Sequence, residues 1–530
     1  MLKAKQFSQK WLRPVVLSLL SVAASGASAQ QADPWSLRDH YAFGGENANF
    51  RVDVKTAEWM VEVTGRGTVV DGAQCEIEFG DGEVLRLSSM SSVKDGRDKF
   101  SSPLGEGTYF RSTFRTGKSL EIEYTVARFS DRPFLLLFVS VENHGQEPVE
   151  LASIRPVVFD AGSVSNFGAG TKVSYLGARR RGIFPVVYEN GDASLVRFEL
   201  PDPNVTLGIG LLQSGMMESR IHLQPEGDTW HGGIDCALDP PLRLEPGDKV
   251  ASDTVWLSFL VDKPSEVHEY HAWAESKGSP NLNLERVPPS WITVEPNQSS
   301  TALFDAARQW GGSEIQYILV PAGWEEKPGS LKGAKPNYPR DMSKIAGTLR
   351  GIRLRPGLTV DPLAAAGCSE AWCAEGADGA TWLDVTNKGA FDYGIEQMQT
   401  VAGWGYEFFV VAPSTIPDAM LDKFNLTRAQ ADTIALEIVA RAAQGIPVFP
   451  SASASLGNDV AKWQAAATTM GLYREYGMLA GPVRLSLDAD SEVSRDLAAA
   501  IAAYSGPVEY IGYPKRKIRK SLVLLRAESD

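Results

Sequence analysis

Short apolar runs, alternating or continuous, recur between Gly, Asp and Asn turns from about residue 47 to about residue 262. Residues 120–127, 134–141, 195–200, 205–212 and 254–261 are such runs. Side chains alternate between the faces of a strand, so this pattern predicts β-structure. The segment Phe134-Leu135-Leu136-Leu137-Phe138 is apolar on both faces, so it should lie centrally between layers. No long helical pattern interrupts the stretch, and a large antiparallel β-sandwich is the simplest packing. Residues 264–277 (PSEVHEYHAWAESK) then read as a helix, stopped by Gly278-Ser279-Pro280, with a linker over 281–289.

From Trp291 onward the period changes and strands alternate with amphipathic helices. Residues 315–320 and 408–411 are buried-type strands. Thr427 with Gln430 forms a capping box, Ile434, Ile438 and Ala442 mark one helical face, and Gly445 stands where a C-cap glycine belongs. A Gly-Pro-Val step opens a strand after a helix at Gly481 and again at Gly506; proline is tolerated at a strand's first residue and stops the helix behind it. Repeated strand–helix units imply parallel strands, and seven of them suggest a (β/α)8 barrel. An open doubly wound sheet is the competing reading. The eighth strand would fall at 521–526, so the barrel is expected to be incomplete or irregular there. The domains predicted are a sandwich over 35–280 and a barrel over 281–530.

The first residues lie outside this scheme. Lys3, Lys5, Lys10 and Arg13 precede an apolar run at 15–24, and Ala27-Ser28-Ala29 offers a signal-peptidase site. Residues 1–29 therefore read as a signal peptide, and the protein as periplasmic or secreted. No later stretch is long and apolar enough to span a bilayer. The net charge of -13 argues against nucleic acid as a partner. Four cysteines in an exported chain permit disulfides. Cys368–Cys373 is expected as a clip within one loop and Cys75–Cys236 across the sandwich, against the alternative of buried thiols. No histidine accompanies them at metal-ligand spacing, so neither a metal nor another cofactor is expected.

Five segments in the second half resemble one family. Gly323-Trp324 follows a strand and is similar to the end of an Asp-Asp-Gly-Trp motif. Tyr338-Pro339-Arg340-Asp341-Met342 resembles a Phe-Pro-x-Gly-Met segment. Residues 353–358 (RLRPGL) resemble the Gly-x-x-Pro-Gly strand. Trp382-Leu383-Asp384-Val385-Thr386-Asn387 resembles Leu-Asp-x-Thr-Asn-Pro, with Lys388 in place of proline, and residues 404–409 (WGYEFF) resemble the entry to strand four. In this order, behind a supersandwich-like β domain, they resemble the α-galactosidases of glycoside hydrolase family 36 and their family 27 relatives. The resemblance implies carbohydrate, such as an α-galactoside, as the partner, and a homo-oligomer.

The departures fall where that family's chemistry lies. Its strand four ends in Lys-x-Asp, the aspartate being the nucleophile; here Val410, Val411 and Ala412 stand there. Its sugar-binding Asp-Asp pair corresponds to Pro321 and Ala322. A retaining glycosidase needs two carboxyl groups about 5 Å apart, and Ala412 cannot form a glycosyl ester. Carboxylates expected at strand ends are Asp361, Asp488 and Asp490. Residues 484–488 resemble the family's Arg-x-Ser-x-Asp segment, which makes Asp488 the acid/base candidate; Asp490 also suits the N-cap of a helix from Glu492. Trp324 and Tyr338 are the expected sugar-stacking residues, with Asp361 and Asp490 as polar contacts. Trp372, Trp382 and Trp404 read equally as packing. The leading expectation is a catalytically degenerate, sugar-binding relative of these enzymes. A hydrolase with relocated carboxylates and a non-enzymatic scaffold are the alternatives.

Overall fold

In the computed structural model the described residues run from 36 to 260 and from 290 to 451 with short breaks, and beyond them comprise 454–455, 463–464, 483–487, 494–504 and 508–512. The leader, the helix read at 264–277 and the segment 521–526 lie outside them. No helix among the described residues is long and apolar enough to cross a membrane.

The first half folds as two antiparallel sheets of ten and nine strands. Gly67–Phe79, Val149–Val164 and Thr229–Leu244 form the centre of the first sheet. Phe134–Asn143 lies within the second, between Leu120–Phe129 and Thr254–Leu260. The two-faced pattern of that strand has a structural counterpart. Leu135, Leu137, Val139 and Val141 join the core between the sheets, packed with Ile77, Ile154 and Val157. Phe134 and Leu136 face the other way, with Phe129 and Trp256, into a core that continues through the second half of the chain. Fully burying each of these side chains contributes about 1.5–3 kcal/mol. Polar contacts fix the same junction: Asn425 accepts from the Arg243 N–H at 3.0 Å and donates to its carbonyl at 2.8 Å. The hydroxyls of Thr427 and Thr433 donate to the Met216 and Gly215 carbonyls.

Cys75 and Cys236 are both buried free thiols, which corrects the expected bridge. They lie in the same sheet, on strands that both pair with Val149–Val164. One intervening strand holds their backbones about 10 Å apart, beyond the reach of a disulfide of about 7 Å. Cys368 and Cys373 are joined, with Cα atoms 6.5 Å apart.

Among the described residues the second half carries eight parallel strands, labelled here β1 (Ser290–Thr293), β2 (Tyr317–Val320), β3 (Arg355–Val360), β4 (Phe408–Val411), β5 (Val448–Pro450), β6 (Ala454–Ser455), β7 (Val483–Leu487) and β8 (Val508–Gly512). Their order is β5-β4-β3-β2-β1-β8-β7-β6. The last strand pairs with the first, so sequence order runs round the sheet without a reversal. The two-residue strand β6 was not expected from the sequence, and 508–512 holds the place beside β1; the segment expected as the eighth strand, 521–526, lies outside the described residues. The helices are α1 (Ser300–Trp310), α2 (Ser343–Gly351), α3 (Lys388–Ala402), α4 (Asp418–Phe424), α5 (Arg428–Ala443) and α6 (Arg495–Ala503). Both bonds of the Thr427–Gln430 capping box are present at α5. That helix ends at Gln444, in the left-handed conformation, one residue before Gly445. The N-cap of α6 is Ser494, whose side chain accepts from the Leu497 N–H at 3.0 Å, and not Asp490.

Alternate residues of these strands divide between two cores. Ile292, Ile318, Val320, Leu358, Val360, Phe409 and Val411 pack in the large core with the helices. Trp291, Leu319, Phe408, Val410 and Phe449 form a separate cluster. The ring centroids of Trp291 and Phe449 are 5.5 Å apart, although β1 and β5 are four strands apart in the ladder. In a flat sheet that separation would be about 19 Å. The sheet is therefore rolled around this inner cluster. Gly357 of β3 makes room for it, since a Cβ there would lie 2.2 Å from the Phe408 ring. Gly357→Ala should lower stability by about 1–3 kcal/mol, and Phe408→Leu in the same chain should recover part of the loss. Denaturant melts of both variants check this; additive losses would place the clash elsewhere.

Candidate functional site

The inner row can be followed past the strand ends. The Ala412 N–H donates to the Val360 carbonyl and the Ser451 N–H to the Val411 carbonyl, both at 2.9 Å, so the ladder and its alternation persist to these residues. Two residues beyond Leu319, Thr359, Val410 and Phe449, the row carries Pro321, Asp361, Ala412 and Ser451. Strand ends of parallel α/β sheets are where such folds place their chemistry. Of these four groups only Asp361 can ionise.

Asp361 sits half-buried just past β3. One carboxylate oxygen accepts the Leu363 N–H at 3.2 Å, and the other accepts the Thr415 hydroxyl at 3.1 Å and its N–H at 3.5 Å. Burial raises its pKa, against these hydrogen bonds and with a further push from the charge of Asp432. A second acid faces it. Glu325 follows β2 and lines the same crevice as Asp361, bounded by Trp324, Gly329, Val360 and the inner face of α3 at Gly394 and Met398. Burial, and then the Asp361 charge, push the Glu325 carboxyl up to about 8, while the Gly329 N–H bonded to it acts in the opposite sense. The space left is of the order one water needs. The crevice can hold a water; a pyranose ring does not fit it.

Sequence reasoning missed Glu325. Two adjacent acids, Glu325 and Glu326, follow the Gly-Trp pair, and only the turn decides which is enclosed. Gly323 adopts φ +86°, and a Cβ there would fall 2.0 Å from Asn297 Oδ1. Glu325 then bridges to Gly333, while Glu326 is exposed with Arg340 3.6 Å away.

The aromatic expectations are corrected. Trp324 is 2 % exposed, its indole N–H donates to the Thr359 carbonyl at 2.8 Å, and its ring meets Trp404 edge-on at 5.9 Å. Tyr338 is 1 % exposed, and its hydroxyl has no hydrogen-bond partner among the described residues. Neither offers a ring face to a sugar, because both fill the layer between strands and helices. Trp382 is equally buried, and Trp372 packs on Tyr393 at 6.0 Å. Asp384 braces a turn by accepting from the Thr386 N–H and hydroxyl, and the adjacent Asn387 caps α3. Asp488 and Asp490 lie outside the described residues, so of the expected polar groups the structure brings only Asp361 to the strand ends. Among the described residues no group of three or more His, Cys, Asp or Glu is placed to hold a metal ion.

This architecture has known counterparts. The α-galactosidase from Lactobacillus brevis superposes with a TM-score of 0.54 at 10% identity, over 92% of this chain and 83% of that one. The chain has an α-galactosidase-like fold. A GH36 α-galactosidase from Geobacillus stearothermophilus gives 0.54 at 10% identity, covering 95% and 86%. The α-N-acetylgalactosaminidase from Bifidobacterium bifidum gives 0.56 at 11%, covering 92% of each. At this identity the likeness concerns the α-galactosidase-like fold alone. No family model and no curated protein matches the sequence.

The raised Glu325 pKa has a sign. An acid titrating near 8 when folded and near 4.5 when unfolded favours folding below about pH 4.5, and that contribution is lost as pH rises through 8. Glu325→Gln imitates the protonated form. The variant should match the parent at pH 5 and exceed it by about 2–4 kcal/mol at pH 9. Thermal melts across this range decide it, and parallel curves would refute the burial of this carboxyl.

Proposed function

We propose that this chain is an exported relative of the α-galactosidases that binds carbohydrate at the strand ends and has lost retaining hydrolysis. On this reading the eight parallel strands close as a (β/α)8 barrel, residues 1–29 direct export, and the mouth takes a galactoside-type ligand. The observation that carries the reading is Ala412, on the inward row at the end of β4. The resemblance requires an aspartate there to attack the anomeric carbon, and a methyl group supplies neither a nucleophile nor charge. Loss of a covalent route removes several kcal/mol of barrier lowering at about 1.4 kcal/mol per tenfold in rate.

Support for a sugar ligand comes from the fold's counterparts. GH36 α-galactosidase variants of Geobacillus stearothermophilus have been solved in complex with stachyose and with raffinose. Of the four residues that end the inward row on β2–β5, Asp361 and Ser451 have side chains able to meet sugar hydroxyls. A hydrolase with relocated carboxylates would need Asp361 free to act. Both its oxygens are already engaged by Leu363 and Thr415, which favours a positioning or binding role.

Assays with 4-nitrophenyl α-galactoside, raffinose and stachyose should give no rate above buffer, while calorimetry with the same sugars should give heat that Asp361→Ala reduces at least tenfold in affinity. Turnover that vanishes in Asp488→Ala would overturn the reading in favour of an active enzyme. Neither turnover nor heat would leave the barrel as a scaffold.

A further inference from the structure

The loop between β3 and α3 carries the Cys368–Cys373 disulfide and leads from solvent to Asp361. Both cysteines are half-buried, and Ser369, Glu370 and Ala371 between them are exposed. A reductant in solution can therefore reach this bridge, whereas the thiols of Cys75 and Cys236 are closed off inside the sandwich. The two cysteines stand only five positions apart, so the bridge constrains its own turn far more than the chain as a whole.

Two short paths connect the bridge to the strand ends. Along the first, Cys373 pairs with Leu383 in the small antiparallel sheet of Cys373–Glu375 and Thr381–Leu383. The Leu383 N–H donates to the Leu363 carbonyl at 2.9 Å, and the Leu363 N–H donates to the Asp361 carboxylate at 3.2 Å. Along the second, the turn inside the bridge holds the start of α3. The Trp372 carbonyl accepts the Asp384 N–H at 2.9 Å. The Ala371 carbonyl accepts from the side chain of Asn387, the N-cap of α3, at 3.3 Å. The Trp372 indole lies against the first turn of that helix, where a Cβ on Gly389 would come within 2.5 Å of its Nε1. Its ring is 6.0 Å from that of Tyr393, which lines the crevice shared by Asp361 and Glu325.

We propose that the Cys368–Cys373 bridge is a redox-sensitive clip. Oxidised, it keeps Asp361 and the start of α3 in place for a ligand at the strand ends; reduced, it releases both. The effect on binding rests on the reading of Asp361 as a sugar contact, whereas the release itself does not. The reductant is a dithiol. One of its thiolates attacks a sulfur of the bridge, the Cys–Cys bond breaks as a mixed disulfide forms, and its second thiol closes the reductant's own disulfide. Two electrons pass to the protein, and the two protons of the dithiol end on Cys368 and Cys373.

The full chain is treated with dithiothreitol under native conditions, and iodoacetamide followed by mass measurement counts the thiols opened. Two should appear, both in the peptide that spans the clip, because the other two cysteines are buried. Amide hydrogen exchange is then compared between the oxidised chain, the reduced and alkylated chain, and Cys368→Ser/Cys373→Ser. The amides of Leu363, Leu383 and Asp384 should exchange at least tenfold faster without the bridge, while the strands Leu120–Phe129 and Phe134–Asn143 keep their rates. Calorimetry with raffinose should show affinity at least tenfold weaker in the same two forms. If the oxidised chain gives no heat, the sugar reading fails, and the exchange rates still decide the clip. A bridge that resists dithiothreitol until the protein unfolds overturns the proposal. So do unchanged rates at the three amides, or raffinose affinity that ignores the bridge. An equal rise in exchange throughout the chain also overturns it, since the bridge would then be a general brace.

Discussion

One aromatic ring of β1, set against two rings of the distant strands β4 and β5, fixes the shape of the second domain. Trp291 of β1 lies 5.5 Å from both Phe408 of β4 and Phe449 of β5, and these contacts require the sheet to roll. Each such pair adds about 0.5–1.5 kcal/mol beyond the area it buries. The rolled form depends equally on what is absent, because Gly357 leaves the space that the Phe408 ring occupies. Glu509 of β8 lies beneath the same cluster, 3.4 Å from the Trp291 indole nitrogen and 2.8 Å from Arg484 Nε. Its side chain is 3 % exposed and joins three strands, accepting from Trp291 of β1 across the seam between the last strand and the first and pairing with Arg484 of β7.

Rolling brings the strand ends together, and the alternation of each strand then decides which side chains face inward there. That is how a local feature, one alanine after two valines, acquires a functional meaning. The same alternation sends Val360 and Val411 outward to the helices and leaves Pro321, Asp361, Ala412 and Ser451 on the inner row. The sandwich stabilises this arrangement from outside. The strand Phe134–Asn143 of its second sheet is buried on both faces, and Asn425, Thr427 and Thr433 tie the β4–α5 region to Arg243, Met216 and Gly215 of the sandwich.

Much of this was legible in the sequence wherever a local rule governs. The two-faced strand at Phe134, the Thr427 capping box and the change from period two to alternating strands and helices all express local patterning. What was not legible depends on long-range placement. Cys75 and Cys236 read as partners across the sandwich because sequence does not say that they share a sheet. Trp324 follows a strand and Tyr338 stands in a family-like segment, so both read as pocket residues, yet both fill the layer between strands and helices. Glu325 and Glu326 are chemically identical until the turn at Gly323 encloses the first. A two-residue strand such as β6 carries too little pattern to be seen.

The central claim is chemical: bond cleavage through a covalent intermediate requires an acidic oxygen at the end of β4, and this chain places a methyl there. Intact-mass measurement after incubation with an activated 2-deoxy-2-fluoro-α-galactosyl reagent, which traps the glycosyl-enzyme of a retaining hydrolase, interrogates it without assuming a substrate. The account predicts a protein of unchanged mass at every time point. A stoichiometric mass gain located to any aspartate or glutamate at the strand ends would contradict it.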